Sequence, residues 1–178
     1  MSAPSQVRSW KARRGRWAVV ALVAVTAASA PAMASAFGTH AIVGGLLGVA
    51  WSESPVVAFL IGFVSHALLD MMPHHDPDPT DGADIALFSA YTFATIFATA
   101  ELGRRTEGDP RFVWGAIGGA LPDLEHVLFY RACGGFDLCE AKLYPTHDGT
   151  LPHLGSAPVL VGYPLEIGVC LLAIRIAF

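Results

Sequence analysis

Charge is scarce in this 178-residue sequence. Asp, Glu, Lys and Arg make up 15% of it, against roughly 25% in an ordinary soluble domain. The net charge is −4, and no basic stripe runs through the body of the chain. That argues against a nucleic-acid binder. Three cysteines are too few for a disulfide scaffold. No internal repeat and no low-complexity tract is present. What abounds is apolar: 53% of the residues are hydrophobic, which excludes a disordered chain. Two classes remain, an integral membrane protein and a protein that carries a targeting signal.

The few charges are unevenly placed. Residues 1–16 hold Arg8, Lys11, Arg13, Arg14 and Arg16 and no acid. With −4 for the whole chain and +5 for this segment, the rest carries −9. Trp17 to Ala36 follows without a charge. Its length suits one crossing of a bilayer core, about 30 Å. The run ends in Ala34-Ser35-Ala36, a small-x-small pattern of the kind signal peptidase cuts. A cleaved signal peptide and a retained anchor helix both fit, and a third reading starts translation at Met33. Residues 1–36 are therefore one expected unit and residues 37–178 another.

Beyond it come further apolar runs: His40 to Trp51, Val56 to Met72, Asp84 to Gly103, Arg111 to Arg131 and Pro158 to Phe178. Ser54 and Pro55 read as the cap and first turn of a helix. Pro73 ends that helix, and Pro122 interrupts a later one. So many apolar runs leave too few polar faces for a soluble bundle. The expectation is an all-α, polytopic transmembrane bundle of five helices plus the N-terminal signal or anchor helix. Arginines mark the cytoplasmic side. Arg104, Arg105 and Arg111 put loop 103–111 inside, Arg175 does the same for the end of the last helix, and loops 73–83 and 131–157 then lie outside. Cys133 and Cys139 flank part of that second loop. A small disulfide and two free thiols both remain open there, while Cys170 reads as packing.

The arginines alone set this layout, yet it puts all seven histidines near the outer face. His66 and Asp70 are four apart and share a helix face, as do Asp123 and His126, three apart. His74, His75 and Asp76 follow in the first outer loop; His147, Asp148 and His153 lie in the second. Ionisable groups at membrane depth are expensive and mark function. Imidazole with carboxylate, without thiolate, suits zinc, manganese or iron. The supply of donors exceeds one four-coordinate ion and fits two ions, or one ion with an acid/base pair. Candidate ligands are His40, His66, Asp70, His74, Asp123 and His126. His147, Asp148 and His153, on a loop that approaches substrate, are candidates for the general base and acid.

Four short blocks resemble those of the membrane-bound, predicted metal-dependent hydrolases, including the LexA-regulated type. They are Gly38-Thr39-His40, Ser65-His66-Ala67-Leu68-Leu69-Asp70, Leu121-Pro122-Asp123-Leu124-Glu125-His126 and His147-Asp148-Gly149-Thr150-Leu151-Pro152-His153. In the LexA-regulated type the Ser-His-x-x-x-Asp block follows the Leu-Pro-Asp block; here it precedes it. The resemblance implies a hydrolase with His66, Asp70, Asp123 and His126 as ligands and His40 as an addition. The composite expectation is an enzyme of a bacterial inner membrane with a divalent ion, zinc first, on the extracytoplasmic side. Its substrate is expected among small molecules or membrane lipids, an ester or phosphodiester. Rival readings are a metal-handling or ion-transporting membrane protein and a structural protein whose histidines bind nothing.

Overall fold

A computed structural model of the chain describes residues 35–78, 80–125, 143–147, 150–152 and 157–178. The expectations for residues 1–34, His126, Cys133, Cys139, Asp148 and His153 lie outside the described residues. Among the described residues the protein is all-helical, with five helices and no strand. They are α1 (Ser35–Trp51), α2 (Pro55–Asp70), α3 (Gly82–Arg105), α4 (Pro110–Ala120) and α5 (Val159–Ala177).

Local chemistry explains most helix ends. Ser54 caps α2 by accepting the Val57 amide at 3.2 Å, with Pro55 at the first turn, where its missing N–H costs nothing. Asp81 caps α3 and Asp109 caps α4, each through its carboxylate. Between α3 and α4, Glu107 and Gly108 take φ of 55° and 73°, the left-handed conformation that ends many helices. The first described helix runs from Ser35, five residues ahead of the expected His40. The run from Arg111 does not continue as one helix. It stops at Ala120, and Pro122 sits in the turn that follows.

Helix α1 is central and packs against α2, α3, α4 and α5, while α2 also packs on α4. Glycines let three backbones meet. A Cβ at Gly115 would run into the Gly44 carbonyl, and one at Gly119 into the His40 carbonyl. Close approach of this kind is how small residues pack helices. Leu46, Phe88 and Phe112 fill the interior.

Apolar side chains also cover the outside, and polar ones share the interior. Val56, Leu60, Val64 and Leu68 of α2 face outward, as do Phe93 and Phe97 of α3 and Leu160, Leu171 and Leu172 of α5. Inside lie Thr39, His40, Ser65, His66, Asp70, Thr92, Thr95, Thr99 and Glu166. Two helices, α3 and α5, are long and apolar enough to cross a membrane.

The bundle has two chemically distinct ends. At one stand the start of α1, the end of α2, the starts of α3 and α5 and the turn after α4. The described histidines, His40, His66, His74, His75 and His147, gather there. Arg104, Arg105, Arg111 and Arg175 belong to the other end, where Arg111 donates to the Ser52 carbonyl at 2.9 Å and Glu101 pairs with Arg104 and Arg105.

Candidate metal centre

Four separate stretches bring donors to the histidine end. His40 comes from the second turn of α1, His66 and Asp70 from the last turns of α2, Asp123 from the turn after α4, and His147 from segment 143–147. All but His147 are at most 6% exposed, and the His147 side chain itself is at 1%.

Their donor atoms face one another. His66 Nε2 is 3.2 Å from Asp70 Oδ2 and 3.6 Å from Asp123 Oδ1. His40 Nδ1 is 3.5 Å from Asp123 Oδ2, and His40 Nε2 is 3.5 Å from Asp70 Oδ1. His147 Nε2 is 3.3 Å from Asp70 Oδ2 and 3.5 Å from His66 Nε2. Several of these spacings are long for a hydrogen bond. They suit ligands of one ion: two donors about 2.0–2.1 Å from a tetrahedral zinc stand roughly 3.3–3.4 Å apart. Two triads meet the test of mutual reach, His40–His66–Asp123 and His66–Asp70–His147. His66 Nε2 belongs to both but has one lone pair. The triads are therefore one site seen twice, or two sites joined through the carboxylates of Asp70 and Asp123.

The surroundings fit a cation. His40 Nδ1 and Asp123 Oδ2 are buried and have no hydrogen-bond partner, an arrangement that costs free energy unless something bridges them. Among the described residues, the Asp70 and Asp123 carboxylates have imidazoles and no Lys or Arg against them. Burial opposes ionisation of Asp123, but the facing His66 and His40 rings hold its carboxyl below the usual range. Thr146 Oγ1 donates to Asp70 Oδ2, fixing the rotamer of that carboxylate.

Two imidazoles are aimed by their second nitrogen. Because α4 stops at Ala120, the Gly119 carbonyl is available beyond the helical ladder. It accepts His66 Nδ1–H at 2.7 Å, so in the neutral ring that an ion would require, the lone pair is left on Nε2, toward the carboxylates. His147 Nδ1–H donates to Glu125 Oε1 at 2.5 Å and likewise leaves Nε2 toward the centre. Such acceptors behind ligating histidines set tautomer and orientation.

Two more histidines of this end, His74 and His75, fall elsewhere. His74 stands outside both triads. Its Nδ1–H donates to the Met72 carbonyl at 2.9 Å, and Nε2 lies 3.4 Å from Asp76. Burial works against its protonation, yet Asp76 carries its pKa up to about 9. His74 and His40 border a small cavity with Thr39 and Glu166. His75 bonds the Ala157 carbonyl at 3.0 Å and Asp84 at 2.7 Å. Both partners are acceptors, so both ring nitrogens donate and His75 acts as a cationic clamp between loops. His126, Asp148 and His153 are outside the described residues.

Glu125, Thr146 and Thr39 serve the site without standing out as candidates in the sequence. Glu125 was visible as a second acid two residues after Asp123, and Thr146 as the neighbour of His147. Thr39 donates to Glu166 Oε2 at 2.8 Å and lies 2.9 Å from the Tyr91 hydroxyl; nothing local in the sequence signals that partnership across 127 positions. Each of the four short sequence blocks contributes at least one side chain to the cluster. No protein-family model, curated protein or solved structure matches the chain.

Proposed function

We propose that the protein is a polytopic membrane protein whose histidine end holds one or two divalent ions, zinc first, and hydrolyses an ester or phosphodiester bond. The observation that carries this is the convergence of His40, His66, Asp70, Asp123 and His147, buried donors from four distant stretches, at ligand spacing. Its nitrogen and oxygen donor set, without thiolate, suits zinc, manganese or iron. When bound, the ion supplies Lewis acidity, which polarises a substrate oxygen and lowers the pKa of water toward about 7.

The chain's own residues do the rest. Asp70 and Asp123 spread negative charge across the site and fit a bridging role if two ions are held. Gly119, Glu125 and Thr146 hold His66, His147 and Asp70 in place. Burial of the cluster excludes bulk water, which strengthens every charge interaction inside. Asp148 and His153 remain the candidates for proton transfer on the loop side.

The outward apolar faces of α2, α3 and α5 support immersion in lipid, and the arginines at the far end support a cytoplasmic position for that end. A site at the opposite end is then level with lipid headgroups, which supports a lipid substrate. Against an ion pathway stands one distribution. Among the described residues, the buried titratable side chains all belong to the histidine end or, for Glu166, to the helix turns just below it; a relay needs them throughout the depth.

The test uses purified full-length chain in lipid nanodiscs, loaded with zinc and given short-chain esters and phosphodiesters. Turnover by the natural sequence and its loss in His66→Ala/Asp123→Ala is expected. Equal turnover by the double variant refutes the assignment.

A further inference from the structure

We infer that Glu125 is the positioning residue of this centre: one carboxylate that docks segment 143–147 over the cluster and sets His147 to present Nε2. The inference rests on the metal-centre reading above. Glu125 is 8% exposed and lies two residues after Asp123, just past the turn that holds it. Asp123 faces His40 and His66, whereas Glu125 faces the loop. Its Oε2 accepts the backbone amides of Leu143 at 2.9 Å and Tyr144 at 3.2 Å. Its Oε1 accepts His147 Nδ1–H at 2.5 Å. One side chain thus collects three donors from the five residues that carry His147.

The consequence is chemical as well as mechanical. A carboxylate has no proton to give, so the proton of this bond is on His147 Nδ1, and the metal-facing nitrogen of the neutral ring keeps its lone pair. The rest of the loop contact is independent of Glu125. The Tyr144 hydroxyl donates to the Phe63 carbonyl at 2.5 Å and accepts the Ala67 amide at 3.2 Å.

Glu125→Gln separates the two roles from mere bulk. The amide has the same size, but its oxygen and NH2 cannot both be acceptors. With the oxygen toward His147, the NH2 meets the Leu143 and Tyr144 amides, donor against donor. Turned the other way, the NH2 faces Nδ1 and drives the ring proton to Nε2, where it blocks ligation. Every arrangement loses part of the geometry.

The experiment measures zinc affinity of the full-length protein in nanodiscs against a competing chelator, together with the ring 15N shifts of His147 in the zinc-loaded protein. Tyr144→Phe, which loosens the loop without touching Glu125, is the control. Glu125→Gln is expected to bind zinc roughly 10–100-fold more weakly and to lose the Nδ1–H form of the zinc-bound His147 ring, with Tyr144→Phe close to the natural sequence in both. Zinc binding by the natural sequence with unchanged affinity and tautomer in Glu125→Gln overturns the role of Glu125 alone. An equal loss in Tyr144→Phe also overturns it, by making general loosening the cause. Absence of zinc binding by the natural sequence overturns the metal centre and this inference together.

Discussion

Gly44→Ala tests how helix packing sets the centre. Gly44 sits on α1 one turn from His40 and faces α4. A Cβ there would lie 2.5 Å from the Gly115 carbonyl oxygen, 3.1 Å from Gly62 Cα and 3.2 Å from Gly119 Cα, whereas ordinary contact begins at 3.4 Å. The nearest atoms are backbone, so no side chain can swing aside, and α1 must move from α4 by about 0.9 Å, the difference between 3.4 and 2.5 Å. Overpacking costs about 1–3 kcal/mol, and a backbone clash belongs near 3. Alanine returns roughly 1 kcal/mol of helix preference. The net is about 2 kcal/mol of destabilisation, a fall of roughly 4–8 °C in midpoint for a chain of this size. The same movement spreads His40 Nδ1 and Asp123 Oδ2 beyond their 3.5 Å spacing. Thermal unfolding in detergent with and without zinc reads both effects: a lower midpoint in each condition and a smaller gain from zinc. A variant as stable as the natural sequence, with an equal zinc-dependent gain, refutes the packing account.

Two other perturbations probe the surroundings of the cluster. Thr39→Val keeps the shape but removes the donor to Glu166 Oε2, leaving a buried carboxyl oxygen short of a partner. The expected loss is about 1–3 kcal/mol, read as a lower unfolding midpoint, and an unchanged midpoint contradicts it. His74 is expected to titrate near pH 9 by NMR, since its pKa is raised by Asp76 from an ordinary 6.5. Because the folded value exceeds the unfolded one, its contribution to stability is complete below about pH 6.5 and fades as pH rises through 9. A midpoint near 6.5 rules out the Asp76 pairing.

Much of the helical layout was legible because apolar runs and caps are local signals. Ser54-Pro55 marked the start of α2 within the chain's own vocabulary, and Pro122 marked the break after α4. The extent of α1 was less clear, since a Gly-rich apolar stretch hides where a helix begins. Pairs on one helix face, such as His66 and Asp70, followed from spacing. What spacing cannot express is which groups meet across the bundle. His147 read as a loop base, yet its Nε2 points into the cluster, because Glu125 behind it takes the other nitrogen. His74 read as a ligand beside Pro73, yet it stands with Asp76 and the Met72 carbonyl. Glu125 and Thr39 escaped notice because their partners are far along the chain and their roles are to hold other residues.

The most direct measurement is the metal content of the purified full-length protein after exhaustive dialysis, for the natural sequence and for His66→Ala/Asp123→Ala. About one ion or more per chain is expected in the first and a large fall in the second. Less than about 0.2 ion per chain in the natural sequence, after growth and purification with zinc, manganese and iron supplied, contradicts it.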